Sequence, residues 1–574
     1  MLIRLSALVF LSYLTAASAA PILLEAEALP QGPVMPDPGC TGGSYVSGGT
    51  QSWSPVFRAA TPRDLTGKVK LWVHRRGGSV QLKTQVGDVQ TAHGWDYGDE
   101  SAFTWREMGE FEASQLGDSL LLIRGEGGAA VDIDAVALGA ESVLELEALL
   151  PPLPVVPLTV DSQKPGRLVT RAHFGLNGFS ALDPVTTQNP KYLANLRYMN
   201  PGLFRIHNSG MLDDGAKSPS GWIDATHKKW MAPRILAALA PLRDLPTKIV
   251  LNINTWPAWM DADGDGRLDL DQHLAYAELC ADLVKLVNAP SAGKPILWWE
   301  ITNEMDDRYH RSFFEAKKAD LLPELVAIYL KCAQAMRTAD PRIKTGAPSS
   351  TNSYNMDFHQ RFIAATAANL DFYSMHLYLT GQRDTPDKEI FARAEAPAYP
   401  LSSVRTMLNE ASPKRKIELW LNEYNINWDW SQQDARMTDW RSAVWDAAFC
   451  FACLNAGADA TAAWNECDGA YGKTASDHLR RPAAESFHAL NAILPGRQLP
   501  ANLAAPKTDG LQVLAIQRKN GTRALLLLNI GPRTRSLSGV TGTATLISQA
   551  GTTTTTATGT LALPSISLAI VRQK

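Results

Sequence analysis

The sequence predicts a multidomain fold: an N-terminal β-sandwich, a central (β/α)8 TIM barrel and a C-terminal β-sandwich. Three observations carry this. Residues 171–495 alternate short apolar runs with helical stretches, the pattern of βα units. Short strands separated by Gly, Pro and Asp flank that region on both sides, as in sandwiches. A chain of 574 residues is also long enough for several cores.

Residues 20–140 hold alternating runs such as Val69-Lys70-Leu71-Trp72-Val73 and Ser119-Leu120-Leu121-Leu122-Ile123, which fit antiparallel strands. Residues 141–157, ending in Pro151-Pro152-Leu153-Pro154-Val155-Val156-Pro157, read as a stiff linker. Within 158–495, eight strand candidates stand out: His173–Phe179, Leu203–Asn208, Lys248–Asn254, Ile296–Thr302, Ile343–Ala347, Phe372–Leu379, Ile417–Asn422 and Ala460–Trp464. Eight parallel strands close a barrel. Residues 496–574 return to alternating strands, including Ala524–Asn529, with a Thr-rich hairpin near Thr552–Thr556. The strand before the barrel, Leu158–Val160, is expected to join that accessory sandwich.

A net charge of −3 leaves no basic footprint for nucleic acid or an anionic membrane, so neither is expected as a partner. Residues 1–19 read as a signal peptide: Arg4, an apolar run from Leu5 to Leu14, then Ala17-Ser18-Ala19. The protein is therefore expected to be secreted. Six cysteines do not make a disulfide scaffold. Cys280 and Cys332 fall on consecutive helices and could pair. Cys450 and Cys453 sit in an apolar helix and read as packed thiols, with a disulfide to Cys467 as an option.

Two glutamates carry the chemistry. Glu304 ends Trp298-Trp299-Glu300-Ile301-Thr302-Asn303-Glu304, and Glu423 ends Ile417-Glu418-Leu419-Trp420-Leu421-Asn422-Glu423. Carboxylates at the C-terminal ends of barrel strands sit where (β/α)8 enzymes keep catalytic groups. By the strand count they end strands four and seven. Such a pair is the minimum equipment for cleaving a glycosidic bond. Glu300, Glu418 and Glu466 are competing carboxylates, and of these Glu466 could line the site.

These residues resemble the clan A glycoside hydrolases, retaining enzymes on a (β/α)8 barrel. The resemblance covers roughly residues 171–495. It implies Glu304, after Asn303, as acid/base and Glu423 as nucleophile. It also implies Arg205 as the strand-two arginine beside the nucleophile and His376 and Tyr378 as the strand-six pair. Trp464 would be the strand-eight sugar platform. Asn303 can donate to a sugar 2-hydroxyl, and Trp256 offers a second flat face. Arg205 or Tyr378 beside Glu423 should keep that carboxylate ionised, leaving Glu304 able to hold a proton. Strand three carries Asn252-Ile253-Asn254 in place of the histidine some clan members have. The architecture resembles families 39 and 51, without implying a particular sugar.

Residues 20–140 resemble carbohydrate-binding modules of families 6 and 35. That resemblance implies a structural calcium on Glu25, Glu27 and Asp134, all oxygen donors suited to a hard cation. A second calcium loop is expected at Asp261, Asp263, Asp265 and Asp269. There the Asp spacing and Gly266 match the opening of an EF-hand loop, although position twelve is Gln272. No cofactor is expected for catalysis. The expected function is hydrolysis of a polysaccharide or oligosaccharide. The alternatives are an inactive polysaccharide-binding barrel and a transglycosylase using the same residues.

Overall fold

The computed structural model describes residues 21–573 apart from 27–31, 37–39, 42–43, 49–52, 97–99, 126–129, 151, 312–319, 505–509 and 532. The expected signal peptide thus lies outside the described residues. The chain divides into two compact units, Met1–Pro154 and Val155–Lys574.

The first unit is a β-sandwich of a six-stranded and a four-stranded sheet. Lys68–Gly77 shows why it forms. Val69, Leu71 and Val73 alternate into the core between the sheets, with Leu82, Leu120 and Leu122 from the facing sheet. Trp72 points the other way, into a cluster with Trp105, Ala135, Leu146 and Leu150. The stretch read as a linker therefore begins as structure. Val143–Leu149 is a helix capped by Ser142, and its Leu146 is buried on the outer face of the sandwich.

In the second unit eight parallel strands form a closed barrel. They are β1 (Gly175–Gly178), β2 (Leu203–Ile206), β3 (Lys248–Ile253), β4 (Trp298–Ile301), β5 (Lys344–Ser350), β6 (Phe372–Thr380), β7 (Glu418–Asn427) and β8 (Ala460–Ala463). The principal helices are α1 (Pro190–Met199), α2 (Ala232–Leu239), α3 (His273–Val287), α4 (Leu322–Ala339), α5 (Met356–Thr366), α6 (Ala398–Ala411), α7 (Trp440–Asn455) and α8 (Pro482–Ala492). No described helix is long and apolar enough to cross a membrane.

The barrel floor is plugged by aromatic rings. Trp420 stacks on Phe372 at 3.7 Å, with Trp298 tilted beside both. Gly346 permits this, because a Cβ there would fall 2.3 Å from the Phe372 ring. Lys248 lies 3.8 Å over the Trp298 ring and pairs with Glu418 at 3.1 Å. Glu418 therefore belongs to the floor.

The C-terminal strands form one curled sheet that buries both faces. Ala524, Leu526 and Leu528 join the barrel's core, while Leu525 and Leu527 enter the sandwich's own. The unbroken apolar run at 524–528 follows from that double burial. Val156–Val160 pairs in parallel with Arg535–Ser548, so the segment entering the barrel is a strand of the accessory sheet.

Helix α7 is apolar nearly all round because it lies between barrel and accessory sheet. All six cysteines are buried, and Cys280, Cys332, Cys450, Cys453 and Cys467 carry free thiols. The disulfide to Cys467 is not formed: Cys450 Sγ meets the Tyr424 hydroxyl at 3.0 Å, and Cys467 Sγ meets the Ala475 carbonyl at 3.3 Å. Asp446 on α7 and Lys473 form a 2.6 Å ion pair, exposed by only 2% and 0%. Removing one partner leaves a bare buried charge. Lys473→Met should lower stability by about 3–5 kcal/mol in chemical denaturation, and adding Asp446→Leu should restore much of it. Equal stability of Lys473→Met and wild type would refute the pair's role.

Candidate active site

Local backbone departures deliver the two glutamates to the barrel mouth. In β7, Glu418, Trp420 and Asn422 face the barrel axis, each meeting inward groups. Strict alternation would turn Glu423 outward. Against β6 the register instead shifts: Met375 pairs with Leu421, but His376 pairs with Glu423. This bulge resets the parity, so Asn422 and Glu423 both face inward while Tyr424 packs outward on α7. On the other side, Thr302 and Glu304 take left-handed φ values of 69° and 57°. The Glu304 amide donates to the carbonyl of Ser349, itself left-handed at a bulge in β5. Such conformations are costly for non-glycine residues and cluster at working sites.

Arg205 of β2 is fully buried and binds on every side. Its Nε donates to Glu300 Oε2 at 2.6 Å. Nη1 donates to Asn177 Oδ1 at 2.9 Å and Glu423 Oε2 at 3.1 Å. Nη2 donates to Asn303 Oδ1 at 2.5 Å and Ser349 Oγ at 3.3 Å. With its Oδ1 taken, Asn303 has its amide N–H groups to offer a ligand hydroxyl.

Glu423 also accepts from the Tyr378 hydroxyl at 2.9 Å. Glu304 meets His376 Nδ1 at 2.8 Å, and His376 Nε2 stands 3.8 Å from Glu423 Oε2. Oxygens of Glu304 and Glu423 lie within 4.8 Å of each other. Burial pushes the Glu304 carboxyl up to about 7, outweighing the charge of Arg205. Burial also raises Glu423, opposed by His376, Arg205 and Tyr378. Only Glu423 is stabilised as an anion by direct hydrogen bonds from a guanidinium and a phenol. His376 is pushed down by burial and is neutral.

The competing carboxylates resolve into supports. Burial would raise Glu300, yet Arg205 and the hydroxyls of Ser374 and Ser349 hold it below the usual range. It also accepts from Asn252 at 2.9 Å and Asn422 at 2.6 Å. Glu466 does not line the site. It accepts from the Phe179 amide, the Ser180 amide and the Tyr192 hydroxyl at 2.8, 2.9 and 2.8 Å, bracing the loop after β1. Trp464 stands beside the site, 5.5 Å from His207 and 5.3 Å from Phe179. Trp256 offers no face: it is 5% exposed and packs edge-on against Tyr276 and Tyr309.

Asn177, His207 and Ser349 support the site without having stood out in the sequence, as does Asn252, which stood out only as a departure on strand three. His207 bonds Asn252 at 2.8 Å, and burial beside Arg205 keeps it neutral. Only their positions near the ends of β1, β2, β3 and β5 could have pointed to them.

Of the expected calcium ligands, Asp261, Asp263 and Asp265 bring carboxylate oxygens within 4.8 Å of one another. Asp269 instead caps the Ala262 amide at 3.0 Å. In the N-terminal unit, Asp134 is spoken for. It accepts from the Thr41 amide at 2.8 Å and hydroxyl at 2.6 Å, and pairs with His74 at 2.5 Å. Glu27 lies outside the described residues. No described group of three or more metal-ligating side chains includes Glu25 or Asp134.

The model of the glycosyl hydrolases family 39 matches residues 293–522, a span that includes Glu304, Glu423 and strands β4 to β8. No curated protein is similar in sequence. The chain is similar in structure to AbfB, a family 51 α-L-arabinofuranosidase from Bifidobacterium longum, with 17% identity and a TM-score of 0.55 over 74% of this chain and 100% of that one. It is similar to a monomeric β-xylosidase from Caulobacter crescentus CB15, with 15% identity and a TM-score of 0.52 over 74% and 99%. A glucosidase from Croceicoccus marinus aligns with 15% identity and a TM-score of 0.54 over 74% and 100%. The chain thus carries a stretch that matches glycosyl hydrolases family 39, on a fold it shares with structures named for families 51 and 39.

Proposed function

We propose that the protein hydrolyses glycosidic bonds by double displacement, with Glu304 as acid/base and Glu423 as nucleophile. The observation that carries this is the carboxylate spacing. Oxygens within 4.8 Å leave room for direct attack on the sugar but not for an intervening water. Glu304 gives its proton to the leaving oxygen while Glu423 forms an ester bond to the anomeric carbon. Glu304, now ionised, takes a proton from water, whose oxygen displaces Glu423. Arg205 and Tyr378 fix the attacking carboxylate, and Asn303 donates to the sugar 2-hydroxyl. The structural neighbours named for arabinofuranoside, xyloside and glucoside hydrolysis supply the first probes, as aryl glycosides.

Glu304→Gln should lower kcat/KM on poor leaving groups by about 10²–10⁴-fold, and Glu423→Gln should end turnover on every substrate. Unchanged activity in either variant would overturn the assignment.

The pH profile gives an independent check. A Glu304 carboxyl pushed up to about 7 is protonated below that pH and loses its proton above it. The kcat/KM of wild type should therefore fall through an alkaline limb centred near pH 7. Glu304→Gln should lack this limb, and an identical limb in the variant would assign it elsewhere.

We assign calcium to the loop at Asp261, Asp263 and Asp265. The Asp261 Oδ1 atom is buried without a hydrogen-bond partner, which suits a cation, while Arg267 competes for Asp265 at 2.7 Å. Calcium at a hundredfold its Kd should stabilise the protein by about 2.7 kcal/mol. Asp261→Asn with Asp263→Asn should remove that gain, and no gain in wild type would dismiss the site. We also assign secretion to residues 1–19 and carbohydrate binding to the N-terminal sandwich. Trp53 supports the latter, being 55% exposed with its ring edge-on to Trp95.

A further inference from the structure

Trp428 follows β7 directly, on the strand that carries Glu423. Its indole is 62% exposed, yet it is held from behind. A Cβ at Gly381 would lie 2.4 Å from Trp428 Cζ2, 2.5 Å from Cε2 and 2.7 Å from Nε1, so the ring rests flat on bare backbone. The Trp428 amide donates to the Thr380 carbonyl at 3.0 Å, and its carbonyl accepts from the Tyr471 hydroxyl at 2.8 Å. The Gly381 backing is fixed in turn. Gln432 Nε2 donates to its carbonyl at 2.6 Å, and Gln432 Oε1 accepts from the Arg383 amide at 2.9 Å.

A large apolar face kept in water on a rigid mount has no packing role. Its chemistry fits the C–H face of a sugar ring, with little conformational entropy left to lose on binding. Trp428 lies five residue steps beyond Glu423 along an extended strand, roughly 16 Å at about 3.3 Å per step, farther than one sugar ring reaches. Tyr471 feels the charge of Glu423 while holding the Trp428 carbonyl, which ties the platform to the same mouth.

We propose that Trp428, mounted on Gly381, is a stacking platform for a sugar unit remote from the scissile bond, making the enzyme favour chains over single glycosides. This rests on the reading of Glu304 and Glu423 as the cleavage site.

The test is calorimetric binding of β-1,4-xylo-oligosaccharides and arabino-oligosaccharides, from disaccharide to hexasaccharide, to proteins carrying Glu423→Gln so that the chains stay whole, with kcat/KM on aryl monoglycosides measured in parallel with Glu423 intact. With Trp428 in place, longer chains should bind more tightly. Trp428→Ala should weaken the longest by about tenfold and leave the monoglycoside rate unchanged. Gly381→Ala, which lifts the indole without removing it, should act in the same direction. The proposal falls if affinity does not grow with length when Trp428 is in place. It also falls if Trp428→Ala binds long chains normally, or if the monoglycoside rate drops by the same factor. Failure of the catalytic reading would show separately, as normal monoglycoside turnover in Glu423→Gln.

Discussion

The active site depends on the buried guanidinium of Arg205. A planar fork with five N–H donors is the side chain able to reach Glu300, Asn177, Glu423, Asn303 and Ser349 at once. These partners lie on or just after β4, β1, β7, β4 and β5, so one residue of β2 registers the barrel mouth around itself. Its charge would be expensive to bury unpaired. Glu300 supplies the counter-charge from below, and Glu423 is the second carboxylate on the same cation. The cluster thus carries one cation against two buried carboxylates, which disfavours a third charge at Glu304. The acid and the anion are set apart by what each touches.

The backbone supplies what the side chains cannot. A regular strand places alternate residues on opposite faces, so Asn422 and Glu423 could not both face inward without an added residue. The bulge provides it. The left-handed residues Thr302, Glu304 and Ser349 do the same for the other half of the site. Their cost is met by the closed ladder of the barrel, which holds the strand ends in place.

This explains what could be read from the chain and what could not. All eight barrel strands were legible, some because buried parallel strands are dense in Val, Ile, Leu and Trp, and β1, β5 and β8, which are not, through the alternation of strands with helices. Glu304 and Glu423 were legible as Asn-Glu pairs ending such runs, and Arg205, Tyr378 and Asn303 through resemblance. The two pairs look alike in sequence yet work differently. Asn303 accepts from Arg205, whereas Asn422 donates to Glu300 deep in the barrel. Nothing local encodes that difference, since it follows from a bulge set by the partner strand. Trp256 misled for a similar reason: its exposure is decided by Tyr276 and Tyr309, distant in sequence. The bonds that Asp134 accepts from Thr41 and its pairing with His74 could not be read from the chain, because both partners are distant in sequence. The run 141–157 read as a linker by its prolines, but Leu146 and Leu150 find a hydrophobic face to cover.

His376 joins the two halves. It is neutral, so one ring nitrogen carries the proton and the other accepts. With Glu304 protonated, Nδ1 accepts from it and the proton sits on Nε2, which stands 3.8 Å from Glu423 and has no other partner. That tautomer points a positive dipole at the carboxylate that must stay ionised. In the proposed double displacement, the ester at Glu423 would remove the charge that Nε2 faces at 3.8 Å and leave one on Glu304 beside Nδ1, so the imidazole borders whichever carboxylate is charged. A lysine or arginine at this position would hold both glutamates ionised throughout, and the proton needed by the leaving group would be lost.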